Sequence, residues 1–293
     1  MAYYTGTVNT MTALRQALID ACLLEGWAWN GSTEVLSKGA LYLRLQIVSG
    51  YLTLLGRTSA TAGDAPNVVR IGKVHSAIPD IAWPATYEIF AFAGEVYLVL
   101  NYAVDYYQWC AFGQSSVAGL PGSGMWFGAT LKDVNFTNGA GPIYIHDAGG
   151  GQATNTTAAL FWESVRSGND WCHSDLDGQG WWSAQTLAGA PVGIRHLTPL
   201  PALLPNTWNS EAVLLPIRAC KVRPSNRISI VADLEHARTT RIDNYAPGQV
   251  ITIGSDRWKI FPWYRKVAAE RNAGTVGGTH TGTFGWAIRY EGP

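Results

Sequence analysis

The first pattern of apolar positions along the chain is helical. Leu14, Ala17, Leu18, Ala21 and Cys22 fall on one stripe at three- and four-residue spacing, which predicts a helix over 12–24. Thr10 or Thr12 can cap its start, and Gly26 stands where a left-handed residue ends a helix. A period of two follows. Leu41, Leu43, Leu45 and Ile47 alternate with Tyr42, Arg44, Gln46 and Val48, Ser49-Gly50 makes a turn, and 51–55 returns. A second hairpin is expected over 87–91 and 95–102 around Ala93-Gly94. Tyr106, Tyr107, Trp109 and Phe112 continue that sheet or pack onto it.

Periodicity then fades. Residues 119–128 and Gly149-Gly150-Gly151 read as loop, with short strands expected at 143–145 and 158–162. Pro199, Pro201 and Pro205 mark a traverse. Beyond them, strands are expected over 213–217, 228–234, 250–253, 257–261 and 286–290, with turns at 246–248 and 254–256. Residues 266–272 fit a short helix or an exposed loop, and 274–285 are rich in Gly and Thr. The fold class is therefore α+β and β-rich: an N-terminal helix on an antiparallel meander (1–115), a loop-rich Gly/Trp middle (116–205) and a C-terminal β module (206–293).

Composition narrows the function. Only 14% of residues are charged while 13 are Trp and 32 Gly, which excludes a disordered chain or a coiled coil. Net charge is zero, so no overall field attracts nucleic acid or an anionic membrane. The balance is uneven: net −1 over 1–101, −5 over 102–194 and +6 over 195–293, which would let copies meet through complementary faces. The N-terminus has no basic and apolar leader pattern, so no signal peptide is expected. Glu88, Gly94, Glu95 and Asn101 interrupt the most apolar stretch, 87–104, and no membrane contact is expected. Cys22, Cys110, Cys172 and Cys220 are too scattered for a disulfide framework and read as reduced core thiols.

Candidate chemistry is sparse. Asp175-Leu176-Asp177-Gly178 has the core of a calcium loop. An EF-hand frame, however, puts His173 first and Ala184 twelfth, where Asp and Glu belong, so Asp175 and Asp177 are weak metal candidates and an exposed acidic turn is the alternative. His75, His146, His173, His196, His236 and His280 show no zinc spacing, and Ser123 and Ser255 lie in no nucleophile-elbow motif. No catalytic residue, cofactor or phosphate cradle is expected. Trp171, Trp181 and Trp182 beside these aspartates suit a sugar platform, a protein interface or a packed loop core. Arg218, Lys221, Arg223 and Arg227 could meet phosphates or a partner's carboxylates. Trp263, Tyr264 and Arg265, followed by Lys266, would permit stacking on bases, though no nucleic-acid module frames them.

Two regions carry a resemblance. Residues 246–262 (APGQVITIGSDRWKIFP) with 282–290 (GTFGWAIRY) are similar to the ends of virion structural proteins of tailed bacteriophages. Residues 92–102 (FAGEVYLVLNY) and 106–113 (YYQWCAFG) resemble the same class. The resemblance implies a non-enzymatic, multi-copy part of the particle, made in the bacterial cytoplasm: a head–tail neck component (connector or collar), a tail component or a baseplate component. The expected partners are further copies of the chain, as a ring or other homo-oligomer, and other virion proteins; contact with DNA is left open. The alternatives are a baseplate or tail-tip carbohydrate-binding protein for host recognition and a capsid decoration protein.

Overall fold

In the computed structural model, which describes residues 1–72, 80–131, 159–162, 169–183, 208, 211, 213–225, 227–267, 269 and 284–293, Thr10 sets the start of the helix. Its backbone is extended and its hydroxyl accepts the Ala13 N–H at 3.1 Å, so α1 runs Met11–Leu24. At the other end Gly26, at φ +79°, turns the chain while the Trp27 N–H returns to the Cys22 carbonyl. Met11, Leu14, Leu18, Ile19, Ala21 and Cys22 form the buried face.

Before α1 lies β1 (Ala2–Val8). After it, β2 (Ala28–Asn30), β3 (Val35–Lys38), β4 (Leu41–Val48), β5 (Tyr51–Arg57) and β6 (Val69–Ile71) form a five-stranded antiparallel sheet in chain order. A second sheet takes β7 (Ala85–Ala91), β8 (Glu95–Ala103), β9 (Tyr106–Gln114), β10 (Met125–Ala129), β11 (Asp170–Ser174) and β12 (Gly180–Trp182) in order, with β1 beside β7. The third comprises β13 (Leu215–Arg223), β14 (Arg227–Arg241), β15 (Val250–Ile253), β16 (Asp256–Pro262) and β17 (Phe284–Arg289), ordered β13-β14-β17-β16-β15. These are the three sheets among the described residues, and their pairings are antiparallel. The α+β, β-rich class holds, with both N-terminal hairpins and all five C-terminal strands in place.

Differences lie mainly in the middle. Strands β10, β11 and β12 extend the sheet begun by β7–β9, so a boundary at residue 115 falls between neighbouring strands. The strand expected at 158–162 is, over 159–162, a fully buried turn with Phe161 at φ +51°. Its backbone is claimed locally: the Phe161 N–H donates to Asp170, and the Asn169 amide donates to the Ala159 carbonyl. Residues 143–145, 149–151, the three prolines and nearly all of 266–283 lie outside the described residues.

The seven-stranded sheet is the middle layer. On one face, Phe112 meets Trp27, and α1 lies against β1, β7, β4 and β5. On the other, Trp109 meets Trp263 and Trp286 of the third sheet, and Tyr97 meets Trp286. A strand covered on both faces needs apolar residues at every position, and Val96 through Leu100 are all buried. Gly56 permits the first contact between layers: a Cβ there would sit 2.5 Å from Phe127 and 2.7 Å from Trp181.

The other seam holds a carboxylate. Glu95 is 2% exposed and accepts the Glu235 N–H and His236 N–H at 3.0 Å each, His236 Nδ1 at 2.8 Å and the Tyr97 hydroxyl at 2.7 Å. His236 also stacks on Phe92, with centroids 3.8 Å apart. Burial, and then the Glu95 charge, push the Tyr97 phenol well above its ordinary 10, so it remains a donor.

Replacing Glu95 by Ala strands buried donors from two sheets and should lower unfolding stability by about 3–5 kcal/mol, measured by denaturant titration. Gly56→Ala should cost about 1–3 kcal/mol in the same titration, through overpacking alone.

Candidate functional site

The side chains singled out in the sequence gather where β11 and β12 meet the 119–124 loop and the β13–β14 hairpin. Between β11 and β12, a 3-10 turn over Leu176–Gly178 carries Asp177 at φ +59°, followed by Gly178 and Gly180, also at positive φ. The strand register then sets Cys172 opposite Trp182 and His173 opposite Trp181.

This register turns the tryptophans inward. Trp171, Trp181 and Trp182 are all buried. Trp181 packs edge-on against Phe127 and donates to the Gly63 carbonyl at 3.2 Å; Trp182 donates to the Ser174 carbonyl and lies under the Lys221 ammonium. The sugar or interface platform is therefore corrected to a packed core, because the ring faces are occupied by neighbours within the chain.

The two aspartates diverge. Asp177 takes a hydrogen bond from Arg223 and lies 3.5 Å from Lys221, tying the turn to the β13–β14 hairpin. The Arg223 hydrogen bond holds the Asp177 carboxyl below its ordinary 3.8. Asp175 is exposed and lies 3.6 Å from His173 Nε2. Among the described residues, no three His, Cys, Asp or Glu side chains converge as metal ligands. The shared calcium loop is corrected: its two carboxylates serve different partners.

His173 is the residue the sequence left without a role. Its Nδ1 receives the Ser123 N–H at 3.1 Å and lies 3.0 Å from Ser123 Oγ. A backbone N–H can only donate, so Nδ1 carries the lone pair and the neutral ring's proton sits on Nε2, toward Asp175. Burial pulls the imidazole below its ordinary 6.5 and Asp175 pulls it partly back. Strand pairing of β10 with β11 makes this contact across 50 positions of sequence, and no local motif announces it.

The remaining candidates lie elsewhere. Arg227 is exposed at the start of β14. Trp263 and Tyr264 are completely buried. Trp263 stacks on Trp286 at 4.7 Å, and the Tyr264 hydroxyl meets that of Tyr102 at 2.8 Å. Arg265 lies over the Tyr106 ring and donates to its hydroxyl. Stacking of Trp263 and Tyr264 on bases is thereby corrected, since neither ring has an open face. All four cysteines are free, and Cys22, Cys110 and Cys172 are buried. His75, His146, His196 and His280 lie outside the described residues. No helix among the described residues is long and apolar enough to cross a membrane. Neither a protein-family model nor a curated protein matches the chain.

Asp177 has a lowered folded pKa, so its stabilisation is present above the ordinary 3.8 and is lost as pH falls through the folded value. In Arg223→Gln the Asp177 titration followed by NMR should move up toward 3.8, and the part of the acid-side stability loss that comes from Asp177 should shrink.

Proposed function

We propose that this chain is a structural component of a tailed-phage virion, assembled in several copies in the head–tail neck (connector or collar) or the tail. The observation that carries this reading is the β13–β14 ribbon. Strand β17 pairs with β14 only over 237–241, so the stretch of β14 before it has β13 as its one strand partner among the described residues. Val213, just before β13, is 51% exposed and Ile228, near the ribbon tip, is 59% exposed, while Arg227 beside it is also exposed. A ribbon with an outer edge and exposed aliphatic side chains is suited to pairing with another chain.

The build of the molecule supports the same reading. Glu95–His236, Glu88–Lys259 and Asp177–Arg223 each join elements of the second and third sheets. Side chains that elsewhere do chemistry are here used to clamp layers, as a part that keeps its shape under load requires. The resemblance of 246–262 and 282–290 to phage virion proteins supplies the particle. A capsid decoration protein would share these features and differ in its place on the capsid. A carbohydrate-binding tail-tip protein loses the three tryptophans on which it depended.

Light scattering on the purified protein should give a multiple of 31.7 kDa, and antibody labelling of intact particles should decorate the neck or tail. Ile228→Asp should shift the mass toward the monomer without altering the circular dichroism spectrum. A monomer absent from particles would overturn the reading.

A further inference from the structure

The geometry points to Ser123 as a nucleophile with His173 as its general base and Asp175 as the positioning carboxylate, forming a surface acyl-transfer site for small carboxylic esters. Three features carry this assignment. First, the Ser123 hydroxyl is aimed: Oγ accepts the Met125 N–H at 3.2 Å, which leaves its own hydrogen for His173 Nδ1 at 3.0 Å. Second, the tautomer is the one a base needs. The Ser123 N–H keeps Nδ1 as the acceptor, and the Nε2 proton lies on the Asp175 side.

Third, the loop is held in place over the ring. Gly122 and Gly124 flank Ser123 at φ +91° and +67°, and a Cβ on Gly122 would come within 3.1 Å of the imidazole. The Asp175 N–H donates to the Pro121 carbonyl at 3.0 Å, and the Ser115 N–H to the Gly124 carbonyl at 2.7 Å. Nucleophile and base are thus held by the 119–124 loop and β11, joined through the β10–β11 pair, before any substrate arrives, while the exposed Asp175 carboxylate stands 3.6 Å from Nε2. Pro121 and Gly122 are exposed and Ser123 is half-buried, so the site opens at the surface.

In the first step the Ser123 Oγ–H bond breaks, the proton passes to Nδ1, and Oγ bonds to the ester carbonyl carbon. The tetrahedral adduct expels the alcohol, which takes the proton from Nδ1 and leaves an acyl-serine. Water then gives a proton to Nδ1 and attacks the acyl carbon. The Oγ–C bond breaks, Oγ recovers the proton, and the net change is ester plus water to acid plus alcohol. Ser123's own N–H shares the Nδ1 lone pair, so activation is weaker than with an undivided acceptor, and activated esters are the expected substrates.

Burial keeps the ring below its ordinary 6.5 and therefore neutral at pH 7. The test is labelling of the native protein with a fluorophosphonate, read by peptide mass spectrometry, together with hydrolysis of p-nitrophenyl acetate. One adduct is expected, on Ser123. Ser123→Ala should abolish it, and His173→Gln should slow it about 100-fold or more while the thermal melt persists. The labelling rate should fall on acidification as His173 protonates. Asp175→Asn should move that midpoint lower, because the Asp175 charge raises the His173 pKa. Absence of the Ser123 adduct, or a rate indifferent to His173→Gln, overturns the assignment. If His173→Gln does not fold, a native labelling rate that does not fall on acidification below pH 6.5 overturns it instead. Assembly state is read separately, so failure here leaves the virion reading standing.

Discussion

A carboxylate buried between two sheets is tolerated only if donors fill its oxygens, and for Glu95 those donors come from both sides of the seam. Tyr97 is on its own strand, while Glu235 and His236 donate from β14. The two backbone donors matter most, because they can meet one carboxylate in only one register. Ser115 and Ser116 repeat the constraint a few ångströms along, exchanging hydrogen bonds with the backbone of Asp233. With β14 so placed, its partner β17 carries Trp286 over Tyr97 and Trp109, and Trp263 stacks behind it. Buried ionic groups often add little net stability against an apolar replacement. Here Glu95 acts chiefly as an index mark: it selects one sheet-on-sheet arrangement among several that an aromatic-rich interface would otherwise permit.

The elements legible in the sequence are those whose surroundings are simple. Helix α1 has one wet face, so its stripe shows, and β4 alternates because its partner layer covers one side. Strand β8 is covered on both sides and reads as an unbroken apolar run, legible through the Ala93-Gly94 turn before it. Strand β11 carries no such sign. Its Asp, Cys, His and Ser look like a surface loop, yet all five of its residues are buried because Phe161 and Ser123 satisfy Asp170 and His173 from outside the strand. For Trp171, Trp181 and Trp182 the acidic neighbours suggest exposure, but Asp175 and Asp177 stand in the turn between β11 and β12, while both faces of those strands are covered and bury the indoles. The Ser123–His173 contact had no local signal, being created by strand pairing over 50 positions.

Charge shows the same dependence on the fold. The basic C-terminal third and the acidic middle suggest complementary faces on neighbouring copies. Within the chain, however, Arg223 and Lys221 are drawn to Asp177, and Lys259 to Glu88. Burial opposes the charged Lys259, but its hydrogen bonds to Glu88 and Tyr3 outweigh that and raise its pKa. Part of the sequence asymmetry is thus cancelled inside the monomer, across the seam that Glu95 defines. On the proposed reading, the surface left for a neighbouring copy is the outer side of the β13–β14 ribbon, where exposed aliphatic and basic residues stand together.

Clamping and chemistry make the same demand on a scaffold, namely that side chains be held before anything binds. Glu95 and His236 meet that demand where the carboxylate is enclosed, and the result is a fastening. Ser123 and His173 meet it where the loop faces solvent, with the ring's proton already assigned by a backbone donor. The difference between the two histidines therefore lies in what stands against them, since His173 is the more buried of the two. His236 is stacked under Phe92 and committed to a carboxylate, while His173 has a hydroxyl on one nitrogen and an exposed aspartate on the other. A protein built for rigidity can carry such a pair at its surface with little added cost, because the strands that position it are already required by the core.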